Sequence, residues 1–174
     1  MIREMARAKI NLTLDILGVR SDGYHEVSMI MQTVELADVV ELDVADKISL
    51  QMTGGENIPT DERNLAWKAA IEFQKFCGKN LGVAISLIKK IPAAAGLAGG
   101  SADAAAVIRG LNRLYNLNLT VKELCAIGKN VGSDVPFCII GGTCLAEGRG
   151  EILTPLNPIK NFNVVLANPR GEIS

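Results

Sequence analysis

The sequence is poor in several features that would open other functional classes. Histidine occurs once, at His25, and the four cysteines (Cys77, Cys125, Cys138 and Cys144) form no C-x-x-C pair. That pattern argues against a zinc site and against a disulfide framework, and reads as buried free thiols in a reducing cytosol. An excess of one charge is also missing: 18 Lys and Arg stand against 19 Asp and Glu, for a formal charge of −1. Such a balance leaves no electrostatic footprint for a nucleic acid, so any anionic ligand must be gripped locally. No apolar run reaches the roughly 18 residues that span a bilayer. Residues 1–15 carry charges every few positions, where a signal peptide would be unbroken and apolar. There is no repeat, low-complexity tract or clear linker. The expectation is a soluble, cytoplasmic protein with no nucleic-acid and no membrane partner.

What is present suits one domain or slightly more. The 174 residues are 48% apolar, enough for a substantial core. In "MARAKINLTLDI", Ala6, Ala8, Ile10, Leu12 and Leu14 alternate with Arg7, Lys9, Asn11, Thr13 and Asp15. Period two predicts a strand with one buried face, with Lys9 and Asn11 neighbours about 7 Å apart on its polar side. An Asp22-Gly23 turn signal follows. Strands are predicted at 26–36, 39–44 and 47–52, so the first third reads as an antiparallel β unit.

The texture then becomes mixed. "NLAWKAAIEFQKFCG" spaces Leu65, Ala69, Phe73 and Phe76 as a helix does, and ends at Gly78. "GVAISLIKKIP" reads as a strand closed by Pro92, with Lys89 and Lys90 at its solvated end. Thr120 and Glu123 stand in capping-box register for another helix. A hairpin is predicted around 148–150, served by Glu147 and Arg149, and "FNVVLANP" as a further strand. Strands followed by mixed helices and strands give an α+β fold class.

The stretch "PAAAGLAGGSADAAAVI", residues 92–108, joins a strand to a helix predicted over 101–115, with Ser101 as N-cap and Asp103 in the first turn. Gly96, Gly99 and Gly100 permit left-handed backbone and close approach of a ligand. A helix N-terminus adds unpaired amides and a positive dipole end, which suit a phosphate. Neither G-x-x-x-x-G-K-[ST] nor G-x-G-x-x-G fits. By itself the stretch equally fits a tight turn that lets helix and strand pack closely.

"PAAAGLAGGSADAAA" resembles the second motif of the GHMP kinases, P-x-x-x-G-L-G-G-G-S-S-x-A-A, which embraces the phosphates of ATP. "ARAKINLTLDILGVRSDGYHEV" and "GSDVPFCIIGGTCLAEGRGE" resemble the branch of that superfamily acting on a cytidine diphosphate derivative, a small-molecule substrate. The resemblance runs along the whole chain in order. It implies a ribosomal protein S5 domain 2-like N-terminal domain over residues 1–160, with 161–174 beginning a C-terminal domain. It further implies ATP and Mg2+, and an ATP-binding loop of Pro92, Ala93, Ala94, Ala95, Gly96, Leu97, Ala98, Gly99, Gly100, Ser101 and Ala102. Ala98 and Ala102 depart from the motif, which has glycine and serine there. If residue 98 must adopt φ above zero, alanine weakens the site.

By the same resemblance Asp134 matches the catalytic aspartate and Lys9 its partner. An aspartate of ordinary pKa, about 3.9, would align the hydroxyl and take its proton late, while Lys9 offsets charge growing on the γ-phosphoryl oxygens. Tyr24 would stack on the cytosine, His25 would bond its edge, and Asn11 would position the substrate. On residue pattern alone, Asp134 also fits a turn or N-cap, Lys9 an exposed strand lysine, and Tyr24-His25 a hairpin surface pair. No carboxylate cluster marks a metal site. Two other readings stay open: another GHMP small-molecule kinase, or a truncated, non-catalytic nucleotide-binding fragment. An apolar patch left by an absent domain would invite a homodimer.

Overall fold

The computed structural model describes residues 1–55, 58–159 and 162–168. Six strands and four helices follow in the order β1 (Ile2–Val19), β2 (His25–Val44), β3 (Ser49–Thr53), α1 (Leu65–Cys77), β4 (Val83–Ile88), α2 (Gly99–Leu114), α3 (Val121–Lys129), α4 (Val135–Ile140), β5 (Thr143–Gly148) and β6 (Ile152–Pro155). All six strands form one sheet, with β2 as its spine. Along one edge β2 pairs antiparallel with β1. Its other edge is shared end to end, with Val27–Gln32 on β5 and Val39–Val44 on β4.

The predicted strands at 26–36 and 39–44 are thus one strand. The apparent break is an irregularity in the ladder: Arg7 faces Ala37, yet Lys9 faces Thr33, so residues 34–36 of β2 carry no partner on β1. The antiparallel expectation fails at β3, which pairs parallel with β4. The single buried face of β1 holds only as far as Ala8. Ala6 and Ala8 are fully buried, whereas Leu12 and Leu14 are exposed because the ribbon extends past the core.

Local chemistry explains the helices. Asn64 caps α1, its side chain accepting from the Ala66 amide at 2.9 Å, and Gly78 ends it in left-handed conformation. Its inner stripe is Ala66, Ala69, Ala70 and Phe73, while Phe76 lies outside it. Thr120 and Glu123 complete a capping box on α3. The sequence pattern hints at α4 only through Asp134 as an N-cap candidate; it is a helix of six residues with Pro136 in its first turn, where a missing amide is harmless.

Helix α2 is central, packing on α1, α3, α4, β1 and β2. Residues 102–108 are all buried, four of them alanine. Small side chains let the helix approach the sheet closely, most of all at Gly110, where an added Cβ would lie 2.3 Å from Leu42 Cδ1. The stretch 162–168 forms no strand. Val165 there is almost fully exposed, and although Phe162, Val164 and Leu166 line a cavity with residues 32–36 of β2, the stretch makes no ladder with that strand. The rest of the expected segment 161–174 lies outside the described residues. No helix among the described residues is long and apolar enough to cross a membrane.

Candidate functional site

The chain leaves β4 into the loop that carries the glycine-rich motif, and Asp38 organises the exit. Its Oδ1 accepts the amides of Lys90 and of Ile91, the latter at 2.8 Å. The loop then takes left-handed backbone at Ala94 (φ 53°), Gly96 (φ 70°) and Ala98 (φ 56°). Ala98, not Ser101, is the N-cap of α2, and it offers no side-chain bond. The predicted start is late because Gly99 and Gly100, poor helix formers in isolation, are held in the first turn by tertiary contacts. The first intrahelical bond runs from the Ala102 amide to the Ala98 carbonyl, at 2.8 Å. The amides of Gly99, Gly100 and Ser101 consequently precede the helical ladder and remain available to a ligand.

Those amides border a cavity of about 360 Å³. Its walls are residues 92–101 of the loop and helix start, with Ile58, Pro59, Arg63, Asn64 and Leu65, and Lys89, Ile91 and Asp103 also line it. Ten of the eleven residues expected in the ATP loop line it. Ala102 does not; it is 1% exposed and packed in the core. Asp103 is likewise no open first-turn carboxylate but a buried side chain bonded to Lys89. The expected solvated strand end is wrong for Lys89, whose side chain is 3% exposed between Asp38 and Asp103. Lys90 does face solvent.

A second cluster adjoins the helix start. The Lys9 amide donates to the Leu97 carbonyl at 3.1 Å, which ties β1 to the loop. The Lys9 side chain is 9% exposed; its Nζ lies 3.3 Å from Asn11 Oδ1 and 3.9 Å from Asp134 Oδ2. Asp134 occupies the N-cap position of α4 but makes no capping bond, leaving its carboxylate directed to the lysine. Gly132, two residues earlier, stands against Ser101: a Cβ there would lie 4.0 Å from Ser101 Oγ. The structure therefore brings Lys9, Asn11, Asp134 and the α2 amides to one place.

Tyr24 and His25 sit elsewhere, at the tip of the β1–β2 ribbon. His25 is eight residues before Thr33, the partner of Lys9, or at most about 26 Å along an extended strand. Gly23 turns the chain at φ 82°, and Asp22 Oδ1 accepts the Tyr24 amide at 3.1 Å. That bond holds the Asp22 carboxyl below its usual range. The Tyr24 ring is 57% exposed, and the Arg149 guanidinium lies 4.6 Å from its centroid. Arg149 thus does more than build the hairpin. All four cysteines are free, but only Cys144 is buried as expected while Cys77, Cys125 and Cys138 are half-buried; desolvation raises every thiol, that of Cys138 to about 12. None is poised as a nucleophile.

The sequence reading passed over Asp38, Asn64 and the far cavity wall. Asn64 had a legible signal, a capping residue before an apolar-periodic run. Asp38, from β2, meets the loop 53 residues further on at Ile91, a separation that no local pattern carries.

This architecture is similar to that of the GHMP kinase N-terminal domain. Residues 64–142 match the family described as GHMP kinases N terminal domain. The chain is 51% identical over 170 residues to a protein of Alkaliphilus metalliredigens, covering 97% of this chain and 58% of that one. It is 54% identical over 164 residues to one of Clostridium tetani, covering 94% and 59%. Both are named 4-diphosphocytidyl-2-C-methyl-D-erythritol kinase. The chain thus spans somewhat under three fifths of the length of these curated relatives. A crystal structure of 4-(cytidine 5'-diphospho)-2C-methyl-D-erythritol kinase superposes with TM-score 0.75 at 37% identity, over 89% of this chain and 55% of that one. A mevalonate kinase structure superposes with TM-score 0.69 at 16% identity, which shows the shared fold alone.

Proposed function

We propose that this chain is the nucleotide-binding part of a kinase that transfers the γ-phosphoryl group of ATP to the 2-hydroxyl of 4-diphosphocytidyl-2-C-methyl-D-erythritol, a step of the non-mevalonate route to isoprenoid precursors. Residues 1–160 form its N-terminal domain, and 161–174 begin the next. The observation that carries the reading is the convergence of Lys9 and Asp134 with the free amides that start α2.

Phosphoryl transfer asks the protein chiefly for positioning and for stabilisation of spreading charge. The cavity and its amides would hold the nucleotide, with the polyphosphate on Gly99, Gly100 and Ser101. Asp134 Oδ2 would align the substrate hydroxyl and take its proton as oxygen bonds to phosphorus and ADP departs. Lys9 Nζ, oriented by Asn11, would offset negative charge on the transferring group. Its burial strengthens that effect, since little water screens it. Mg2+ would arrive with the polyphosphate and add positive charge there. The described residues contain no group of three His, Cys, Asp or Glu that could hold a metal ion.

An elongated substrate accounts for the distance between the Lys9–Asp134 cluster and Tyr24–His25. The exposed Tyr24 ring would stack on cytosine, a contact worth about 1–3 kcal/mol, and His25 would bond the base edge. The test is acceptor choice. Product formation from ATP would be followed with 4-diphosphocytidyl-2-C-methyl-D-erythritol, mevalonate and homoserine in parallel. Transfer to the first alone supports this substrate; preference for either of the others rejects it.

A further inference from the structure

In the wall of the nucleotide cavity, which Lys89 and Asp103 help to line, lies a charged cluster for which the transfer step has no use. The Lys89 ammonium bonds Asp38 Oδ2 and, at 2.5 Å, Asp103 Oδ2, and the three side chains are 3%, 0% and 4% exposed. Each arm belongs to a different part of the site. Asp38 comes from the sheet spine and holds the start of the loop through the amides of Lys90 and Ile91. Asp103 comes from α2, four residues after Gly99. Lys89 itself passes under the helix start: a Cβ on Gly99 would lie 3.5 Å from its Nζ.

Stability gives little reason to bury these charges. Desolvation costs several kcal/mol per ion, and well-packed apolar groups serve as well or better. Moreover, Asp103 Oδ1 is buried with no hydrogen-bond partner among the described residues, an arrangement that stability disfavours. The packing of α2 supplies another reason. The part of its buried stretch nearest the loop presents Ala102, Ala104, Ala105 and Ala106, small side chains with little interlocking relief, and the larger Val107, Ile108 and Leu111 follow only beyond them. Directional bonds can fix what smooth packing leaves free.

We propose that Lys89, Asp38 and Asp103 form a positioning network that sets the placement of α2 against the sheet, so that the amides of Gly99, Gly100 and Ser101 meet the nucleotide phosphates. This rests on the reading of the cavity as a nucleotide site. Lys89 and Asp103 also line the cavity, yet all three act here as positioning residues, through the backbone of α2.

The test uses Asp103→Leu, which cuts the tie to α2 while Lys89 stays paired with Asp38, and Asp103→Asn, which keeps an acceptor for Lys89. Thermal unfolding and the Kd for ATP by calorimetry are read on both and on the parent chain. The network predicts Asp103→Leu with Tm equal to or above the parent's but ATP bound at least about 10-fold more weakly, roughly 1.4 kcal/mol. Asp103→Asn should stay within about 3-fold of the parent. Parent-like affinity in Asp103→Leu, or equal losses in both variants, overturns the inference and leaves the nucleotide site standing. If Asp103→Leu does not fold, the charge-balanced combination Asp38→Asn, Lys89→Met and Asp103→Leu, which buries no unpaired ion and keeps an acceptor for the amides of Lys90 and Ile91, replaces it under the same criteria. A parent that binds no nucleotide removes the site and the inference together.

Discussion

The amide of Lys9 donates to the carbonyl of Leu97 at 3.1 Å, joining the strand that carries the buried lysine to the loop that starts α2. Two segments nearly ninety residues apart are thereby held in one register. Displacement of the loop shifts the backbone of Lys9, and with it the ammonium beside Asp134. Placement of this kind decides catalytic rate, because positional errors near 1 Å cost about 10²-fold.

The residue after Leu97 is strained. Ala98 holds φ 56°, where an L-residue with a Cβ is disfavoured by roughly 1–2 kcal/mol. Ala98→Gly relieves this, although glycine gives part of the gain back through a freer unfolded chain. The expected outcome is stabilisation by about 0.5–1 kcal/mol, measured by urea unfolding, with ATP bound at least as tightly. Ala98→Val should act in the opposite direction, since β-branching worsens the left-handed conformation. A glycine variant less stable than the parent would show that the left-handed conformation is not the one adopted in solution.

Tyr24 offers an exposed ring that Arg149 already approaches at 4.6 Å. Tyr24→Ala should raise the KM for the cytidine diphosphate substrate about 5- to 150-fold, the equivalent of 1–3 kcal/mol of stacking. Tyr24→Phe should keep most of the affinity. The KM for ATP should be unmoved by either change, since the ribbon tip does not line the nucleotide cavity. Equal effects on both substrates would contradict the separation of the two sites.

Asp103 makes stability depend on pH. Burial pushes its carboxyl up to about 7, and nearby Asp38 adds to the rise, while the Lys89 ammonium opposes it. The ordinary value is 3.8. Between that value and about 7 the folded chain retains a proton that the unfolded chain has released, so this group's contribution to stability falls as pH rises through that window. In Asp103→Asn the contribution is absent. The Tm of the parent should therefore decline relative to that of Asp103→Asn between pH 4 and about 7 and run parallel above it. Parallel curves throughout would contradict the shift.

Local chemistry makes much of the fold legible in the sequence. Asn64 and Gly78 bracket α1, Thr120 and Glu123 start α3, and alternation in Val83, Ile85 and Leu87 marks β4. In each, a short pattern determines a short element. The failures share a different cause. Leu12 and Leu14 read as core because alternation reports a face but not how far the core extends. Lys89 read as solvated because its partners, Asp38 and Asp103, lie 51 and 14 residues away. Val164 and Val165 read as strand, yet they join no ladder among the described residues. At the candidate site the pairing of Lys9 with Asn11 followed from strand period, whereas that of Lys9 with Asp134 came only through resemblance, spanning the whole domain.

The central claim is that Asp134 receives the hydroxyl proton while Lys9 and the α2 amides hold the transferring group. The most direct measurement is ADP release from ATP-Mg with 4-diphosphocytidyl-2-C-methyl-D-erythritol, for the parent and Asp134→Ala. It should be run on this chain and on this chain continued with the remaining two fifths or so of the Clostridium tetani relative. The account predicts substrate-dependent turnover that Asp134→Ala lowers by about 10²–10⁴-fold, the range for a positioned general base, with ATP affinity retained. Undiminished turnover in Asp134→Ala, or no turnover in either chain, would contradict it.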